Sequence, residues 1–414
     1  MVIAAAVLCI AATWFFARWN FANAISSHLD LQKAESKIIA QWLADMAPND
    51  PQTHFANALI LEKTFDAGDL SRSLSEYETA AALSPHNYVA WLNLGKSRSL
   101  NGDSDGAETA FQRALELAPN YATVLWIYGN ALVRQGKTAE GFGMIAKAAA
   151  ANPDYSRTAA VTALQVFDSD VGQARTALGD SDVTNAAFAS ALAGQTQFDA
   201  AYESWARIGA DARAGKYQKF GETLAGQMAA AKKFRLASRA TADITPDDAG
   251  KPLVGQINNS GFERGVKLSG AGTFDWQIAD GAEPQIGLSE SQRHSGKYGL
   301  FILFNTFQTV GFRSVSQTVA VEPGATYEFE LFYRSDVKTS ATLKWEIADA
   351  ANATAIASTN GLVPAADWTS AKAKFTVPAG SDGVIIRLAR EGCIGPACQM
   401  NGRIAFDDFS LRRL

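Results

Sequence analysis

Four prolines, Pro51, Pro85, Pro119 and Pro153, stand 34 residues apart without a slip. Gly68, Gly102 and Gly136 keep the same step, as do Ala80, Ala114 and Ala148. A fixed period of this length means that one supersecondary unit is used repeatedly, each copy burying its apolar face on the next. Such a region is a stack of neighbours, not a core closed from all sides. Proline cannot donate the helical hydrogen bond, so it ends the helix before it. Glycine supplies the turn inside each unit, and the stretches on either side of it have helical length.

The unit from Tyr88 to Tyr121 is the clearest. It places Trp91, Leu94 and Gly95 on a first helix, Gly102 at the turn, Ala107, Phe111 and Ala114 on a second helix, and Pro119 as the breaker. These residue types at these offsets resemble the tetratricopeptide repeat. The small residues let two helices approach, and Trp91 and Phe111 fill the space between stacked pairs. The unit before it, His54 to Asn87, has Leu61 where the first helix of the family carries glycine. The unit after it, Ala122 to Tyr155, has Gly141 where alanine is usual. The Ala-rich region from Ser156 to Arg239 reads as degenerate repeats and a capping helix, which puts a helical solenoid over residues 25–240. The resemblance implies a groove for a protein partner. Polar positions of the first helices, Asn57, Asn93, Arg98, Asn130 and Arg134, are its candidates by position, whereas Trp91, Tyr121, Trp126 and Tyr128 read as packing residues.

Ahead of the repeats, Val2 to Ala17 form a run without charge, closed by Arg18. A spanning helix needs about 20 mostly apolar residues. With Arg18 snorkelling, residues 1–24 reach that length and read as a signal-anchor helix with an aromatic belt of Trp14, Phe15, Phe16 and Trp19. A cleaved leader with Ala22-Asn23-Ala24 as its site, and a buried core helix, are the alternatives.

Composition changes at Thr241, and Thr245 to Pro252 reads as a linker, placed at residues 241–256. Beyond it, short alternating runs such as Tyr327–Tyr333, Thr342–Ile347 and Gly383–Leu388 are separated by turn residues, which predicts an all-β sandwich of jelly-roll type over 257–414. The whole chain is therefore expected to be multidomain, α + β. Ile257-Asn258-Asn259-Ser260-Gly261-Phe262-Glu263, Ser295-Gly296-Lys297-Tyr298-Gly299-Leu300, Pro323-Gly324-Ala325-Thr326-Tyr327 and Phe406-Asp407-Asp408-Phe409-Ser410-Leu411 occur in the order seen in carbohydrate-binding modules of the galactose-binding-like class, which this segment resembles.

The resemblance implies a structural calcium ion joining the two ends of the module. On the last strand, alternation places Ala405, Asp407, Phe409 and Leu411 on one inward face. An inward carboxylate needs a cation or a partner. Asp407 and Glu263 are the candidate side-chain ligands, with carbonyls around Gly261 and Lys297; Asp407 capping a turn or pairing with Arg403 is the alternative. For sugar, the strand side opposite the core carries Phe332, Arg334, Lys344, Glu346 and Arg387, and loop aromatics Phe307 and Phe312 add to it. A ring face with fork-like donors suits a polysaccharide, and the arginines favour an anionic one. A solvated face with cross-strand ion pairs is the competing reading, and Trp276 and Trp368 read as packing residues.

Cys393 and Cys398 enclose a Gly/Pro-containing loop and read as a small disulfide-closed turn, hence an oxidising compartment, or as two reduced thiols. With the anchor, this suggests a single-pass protein of a bacterial inner membrane with its body in the periplasm. A net charge of −5 without a basic cluster leaves no footprint for nucleic acid. The four histidines have no zinc-ligand spacing, and Gly270-Ala271-Gly272 lacks the third glycine of a dinucleotide loop. Without a catalytic signature, the expected role is an adaptor in cell-envelope or exopolysaccharide assembly or export. A pure protein scaffold, and a polysaccharide-active enzyme using Glu330 with Glu346, are the alternatives.

Overall fold

The computed structural model describes residues 2–414 except 31, 32, 34, 65, 268, 307–311 and 393–398. Its contacts divide the chain into two compact units, Met1–Phe188 and Ala189–Leu414.

The first unit opens with α1 (Val2–Ser27), whose stretch Ile3–Ser27 is by length and composition apolar enough to cross a membrane. The helices that follow are α2 (Ser36–Met46), α3 (Pro51–Lys63), α4 (Asp69–Leu83), α5 (Tyr88–Leu100), α6 (Ser104–Leu117), α7 (Ala122–Arg134), α8 (Thr138–Ala151), α9 (Asp154–Val166) and α10 (Val171–Leu178), and then α11 (Asp182–Gly194) runs across the division. The pairs α3–α4, α5–α6 and α7–α8 are the three units read from the period. Each turn glycine, Gly68, Gly102 and Gly136, has a positive φ of 80–83°, a conformation in which a side chain would be strained. The Asp103 carboxylate caps α6 by accepting from the Gly106 amide at 2.9 Å. Phe111 is buried beneath Tyr128 of the next unit, with ring centres 5.5 Å apart.

Gly141, the departure from the family pattern, has a local reason. A β-carbon there would lie 2.7 Å from the Gly129 carbonyl oxygen, and one on Gly129 would lie 2.8 Å from that of Gly141. Helices α7 and α8 therefore touch backbone to backbone, and alanine no longer fits.

The second unit holds α12 (Phe198–Ala206), α13 (Ala210–Ala214), α14 (Gln218–Ala230) and α15 (Phe234–Ile244), followed by eleven described strands. These are β1 (Gln277–Ile278), β2 (Gln285–Ser289), β3 (Gly299–Thr306), β4 (Val315–Ala320), β5 (Thr326–Ser335), β6 (Lys338–Thr339), β7 (Thr342–Asp349), β8 (Ala355–Ser358), β9 (Ala365–Thr376), β10 (Gly383–Glu391) and β11 (Met400–Arg413). One sheet has the order β1-β4-β10-β7-β8 and the other β2-β3-β11-β5-β9, with β6 beside β11. Both are antiparallel, and their inner faces share one core around Trp345, Phe406 and Phe409. The fold is the expected one: a helical N-terminal region and an all-β C-terminal sandwich.

Helix α15 is fastened to the sandwich. The amides of Phe234 and Arg235 donate to the Asp382 carboxylate at 2.9 and 3.1 Å, Arg235 pairs with Glu322 at 3.0 Å, and Ser238 Oγ donates to the Pro252 carbonyl at 3.1 Å. The amide of Gly255, in the stretch read as a linker, donates to the Ala320 carbonyl at 2.7 Å.

Candidate functional site

Strand pairing decides which polar side chains share a face. On β5, Tyr327, Phe329, Leu331 and Tyr333 belong to the core, so Phe332 and Arg334 stand on the outer side of the β5 sheet. On β7 and β10, Leu343, Trp345, Ile347, Ile386 and Leu388 are inward, so Lys344, Glu346 and Arg387 stand outside the other sheet. The single sugar face expected from alternation is thus two faces on opposite sides of the sandwich. Period-2 reading assigns a side to each residue of a strand, but it carries no information on which sheet the strand joins. The same division places Glu330 on β5 and Glu346 on β7, in different sheets, which removes the paired-carboxylate arrangement of a glycosidase.

The face of the β7 sheet is neutralised by its own neighbours. Arg387 stands directly opposite Glu346 in register and donates from Nε to Oε1 at 2.8 Å, with Nη2 on the same oxygen. Lys344 pairs with Glu391 at 2.5 Å. Phe312 packs against the rim of the core, stacked on Phe304, with the Arg390 guanidinium 5.2 Å from its ring centre. Phe307, Cys393 and Cys398 lie outside the described residues.

The face of the β5 sheet is built differently. The His294 ring lies flat on Phe332, with centres 4.2 Å apart and planes 10° from parallel. Trp368 of β9 stands 5.4 Å from His294, half-buried, and the Arg334 guanidinium lies 5.8 Å from the Trp368 ring centre. Arg334 also donates to Gln292 Oε1, and His294 Nδ1 is 2.6 Å from Asp408 Oδ2. Aromatic surface, a guanidinium and an imidazole therefore meet on one patch. The sequence reads Trp368 as a packing residue; its contacts with His294 and Arg334 put it on the outer side, in the stretch where the β5–β9 register shifts and alternation gives no phase.

Beneath this patch the ends of the module meet. The expectation that Asp407 points inward is corrected. Ile404, Phe406 and Phe409 all enter the core, because a bulge between Asp407 and Ser410, with Asp408 at φ +47°, shifts the alternation by one residue. Asp407 pairs with Phe332 and is on the outer side of its sheet, yet it is fully buried. Its carboxylate accepts the amides of His294 at 2.7 Å, Ser295 at 3.1 Å and Asp408 at 2.8 Å. Desolvation holds its pKa above the usual aspartate value, and these amide hydrogen bonds oppose the shift. Arg403, the alternative partner, pairs with Asp336.

Glu263 accepts from the amide of Lys297 at 2.9 Å and that of Tyr298 at 3.1 Å, so Lys297 meets it with an N–H group. A β-carbon on Gly261 would lie 3.6 Å from Asp407 Oδ1, 3.7 Å from Asp408 Oδ1 and 3.9 Å from Glu263 Cγ. Glu263, Gly261 and Asp407 are thus brought together, and Asp408 joins them. Among the described residues no group of three or more His, Cys, Asp and Glu side chains has the arrangement of a metal site. The donors to these carboxylates leave part of their accepting capacity unused.

In the repeats, the proposed groove positions have internal duties. Asn57 is buried and reaches Gln41 at 3.4 Å, and Asn93 and Asn130 donate to the carbonyls of Val89 and Trp126 one turn back. Arg98 ties its helix to the Gly106 carbonyl at 3.1 Å and to Glu78 at 2.9 Å. Arg134 alone of the five is exposed.

The tetratricopeptide repeat model matches residues 65–122 and 96–156, and the carbohydrate binding domain model matches 254–391. The chain joins tetratricopeptide repeats to a carbohydrate-binding-type module. Both are non-catalytic kinds of domain. No curated protein sequence matches it significantly. Among solved structures, TmCBM61 in complex with beta-1,4-galactotriose is 18% identical, and the match covers 38% of this chain and 97% of that one at TM-score 0.27. A CBM4 structure is 16% identical, covering 38% and 99% at TM-score 0.29. MamA from Desulfovibrio magneticus RS-1 is 17% identical, covering 39% and 93% at TM-score 0.32.

Proposed function

We propose that the protein is a membrane-anchored, non-enzymatic adaptor whose repeats hold a protein partner and whose sandwich binds a polysaccharide. The proposed setting is the periplasmic side of a bacterial inner membrane, in polysaccharide assembly or export. The observation that carries the sugar reading is the patch of Trp368, His294, Phe332 and Arg334. It sets half-buried rings beside a guanidinium and an imidazole, a combination that suits a sugar bearing carboxylate substituents. On the opposite sheet, Arg387 and Lys344 already spend their charge on Glu346 and Glu391.

Isothermal titration of the full chain against acidic oligosaccharides picked from a glycan array tests this. Trp368→Ala and Arg334→Ala are each expected to weaken binding at least tenfold, while Arg387→Ala leaves it unchanged. The reverse pattern moves the site to the other sheet. Unchanged binding in all three variants ends both faces.

A calcium ion held by Glu263 and Asp407, with Asp408 beside them, is part of the same proposal. It would offset the desolvation of Asp407 and tie the segment before β3 to β11. Addition of a calcium chelator should lower the melting temperature of the sandwich, and restored calcium should recover it; an unmoved midpoint removes the ion.

A further inference from the structure

The level at which α2 joins α1 fixes where α2 sits relative to a bilayer. The charge-free run Val2–Ala17 has 16 residues. At about 1.5 Å per residue this is roughly 24 Å, short of a hydrocarbon layer of about 30 Å. Four more residues, reaching about Phe21 and Ala22, complete the span. That is where α2 is bolted on. Ala22 is fully buried against Leu43 and Ala47, Arg18 donates to the Met46 carbonyl, and Asn23 donates to Asp50 at 3.0 Å. Arg18 is thus committed to the protein at the very depth where snorkelling was expected of it.

Helix α2 buries Ala40, Leu43 and Ala44 and turns Ile38 and Trp42, one helical turn apart, outward at 77% and 52% exposure. Trp42 meets the half-exposed Phe21 edge to face at 6.5 Å. The apolar surface therefore passes from α1 to α2 at the Phe21–Trp42 contact, with the exposed carboxylates of Glu35 and Asp45 bounding the α2 stripe at its two ends.

We infer that α2 is an interfacial helix, with Ile38, Trp42 and Phe21 seated in the headgroup–acyl boundary of the bilayer that α1 crosses. Tryptophan favours that zone, and aliphatic burial there adds to it. The repeats are then held at a fixed attitude on the membrane surface and do not swing on a flexible tether. The inference rests on the reading of α1 as a span, which supplies the occupant: lipid.

The test uses the full chain in nanodiscs of phosphatidylethanolamine and phosphatidylglycerol. A spin-labelled noncanonical residue is placed in turn at position 12 in α1, position 38 in α2, and the exposed position 112 in α6. Accessibility to oxygen is compared with that to a water-soluble nickel chelate. Position 38 is expected to show an oxygen-to-nickel ratio between those of 12 and 112. A ratio at 38 equal to that at 112, with 12 in lipid, overturns the inference and leaves the anchor standing. A ratio at 12 equal to that at 112 overturns the anchor, and this inference with it. A label at 38 shielded from both reagents in particles that contain two copies assigns the face to a second chain and overturns the lipid assignment.

Discussion

The repeats and the sandwich solve the burial problem in opposite ways. Phe111 finds Tyr128 only 17 positions along the chain, in the adjoining unit. Trp345 is enclosed by Trp276, Phe406 and Phe409, drawn from both sides of it in sequence and more than 60 residues away. Neighbour-to-neighbour contact makes a stack whose stability is a sum over units; long-range pairing makes a domain that forms all at once. The proposed sites follow the same split. The candidate groove positions in the stack are spread over successive units, whereas the patch on the sandwich takes His294, Phe332, Trp368 and Asp408 from four separate segments.

The largest effect should come from Trp345→Ala, which removes a fully buried indole at a cost of about 3–5 kcal/mol. Hydrogen exchange should then lose protection in every strand of the sandwich together. Phe111→Ala opens a similar cavity of about 3–5 kcal/mol, but lost protection should stay within α5 to α8. Uniform loss from α3 to α10 would show that the stack is one cooperative body and would erase the contrast. Next, Gly129→Ala forces α7 from α8 and should cost about 1–3 kcal/mol, whereas Gly143→Ala, on the same helix as Gly141 but with open space around it, should gain up to about 1 kcal/mol. Equal thermal shifts in the two variants would refute the close contact of α7 with α8.

The smallest effect is a pH dependence confined to the repeats. His54 Nδ1 lies 2.5 Å from Glu76 Oε2, and this hydrogen bond raises the His54 pKa above its ordinary 6.5. A raised histidine binds its proton more tightly in the folded state. The resulting stabilisation is complete below about pH 6.5 and is lost as pH rises through the higher folded value. His54→Gln should flatten the fall of repeat stability above pH 6.5 and leave the sandwich unaffected. The same slope in the variant would contradict this assignment.

How much could be read in advance differed between the two regions for the same reason. In the stack, helix ends, turn glycines and packing residues all followed from the 34-residue step, because each contact partner lies a fixed distance along the chain. The glycine pair Gly129 and Gly141 needed coordinates, since the closeness of two backbones is a property of both helices at once, and so did the internal hydrogen bonds of Asn57, Asn93, Arg98 and Asn130. In the sandwich, alternation sorted Tyr327–Tyr333 correctly into core and surface. It failed at Ala405 and Asp407, which a bulge before Ser410 sets out of phase with Phe409 and Leu411, the two that do face the core. It also merged residues of two sheets into one face, and it left Trp368 among packing residues.

The sequence alone determined that a long apolar helix precedes stacked helical pairs and that an antiparallel sandwich follows them. Those outcomes depend on local periods: one charge-free run, a 34-residue repeat and two-residue alternation. Tertiary structure alone decided which strands became neighbours, and so that Arg387 faces Glu346 while Arg334 faces Trp368. It also set α2 against α1 at Ala22. These are pairings between distant segments, fixed by the burial of a shared core, and no periodicity within one segment encodes them.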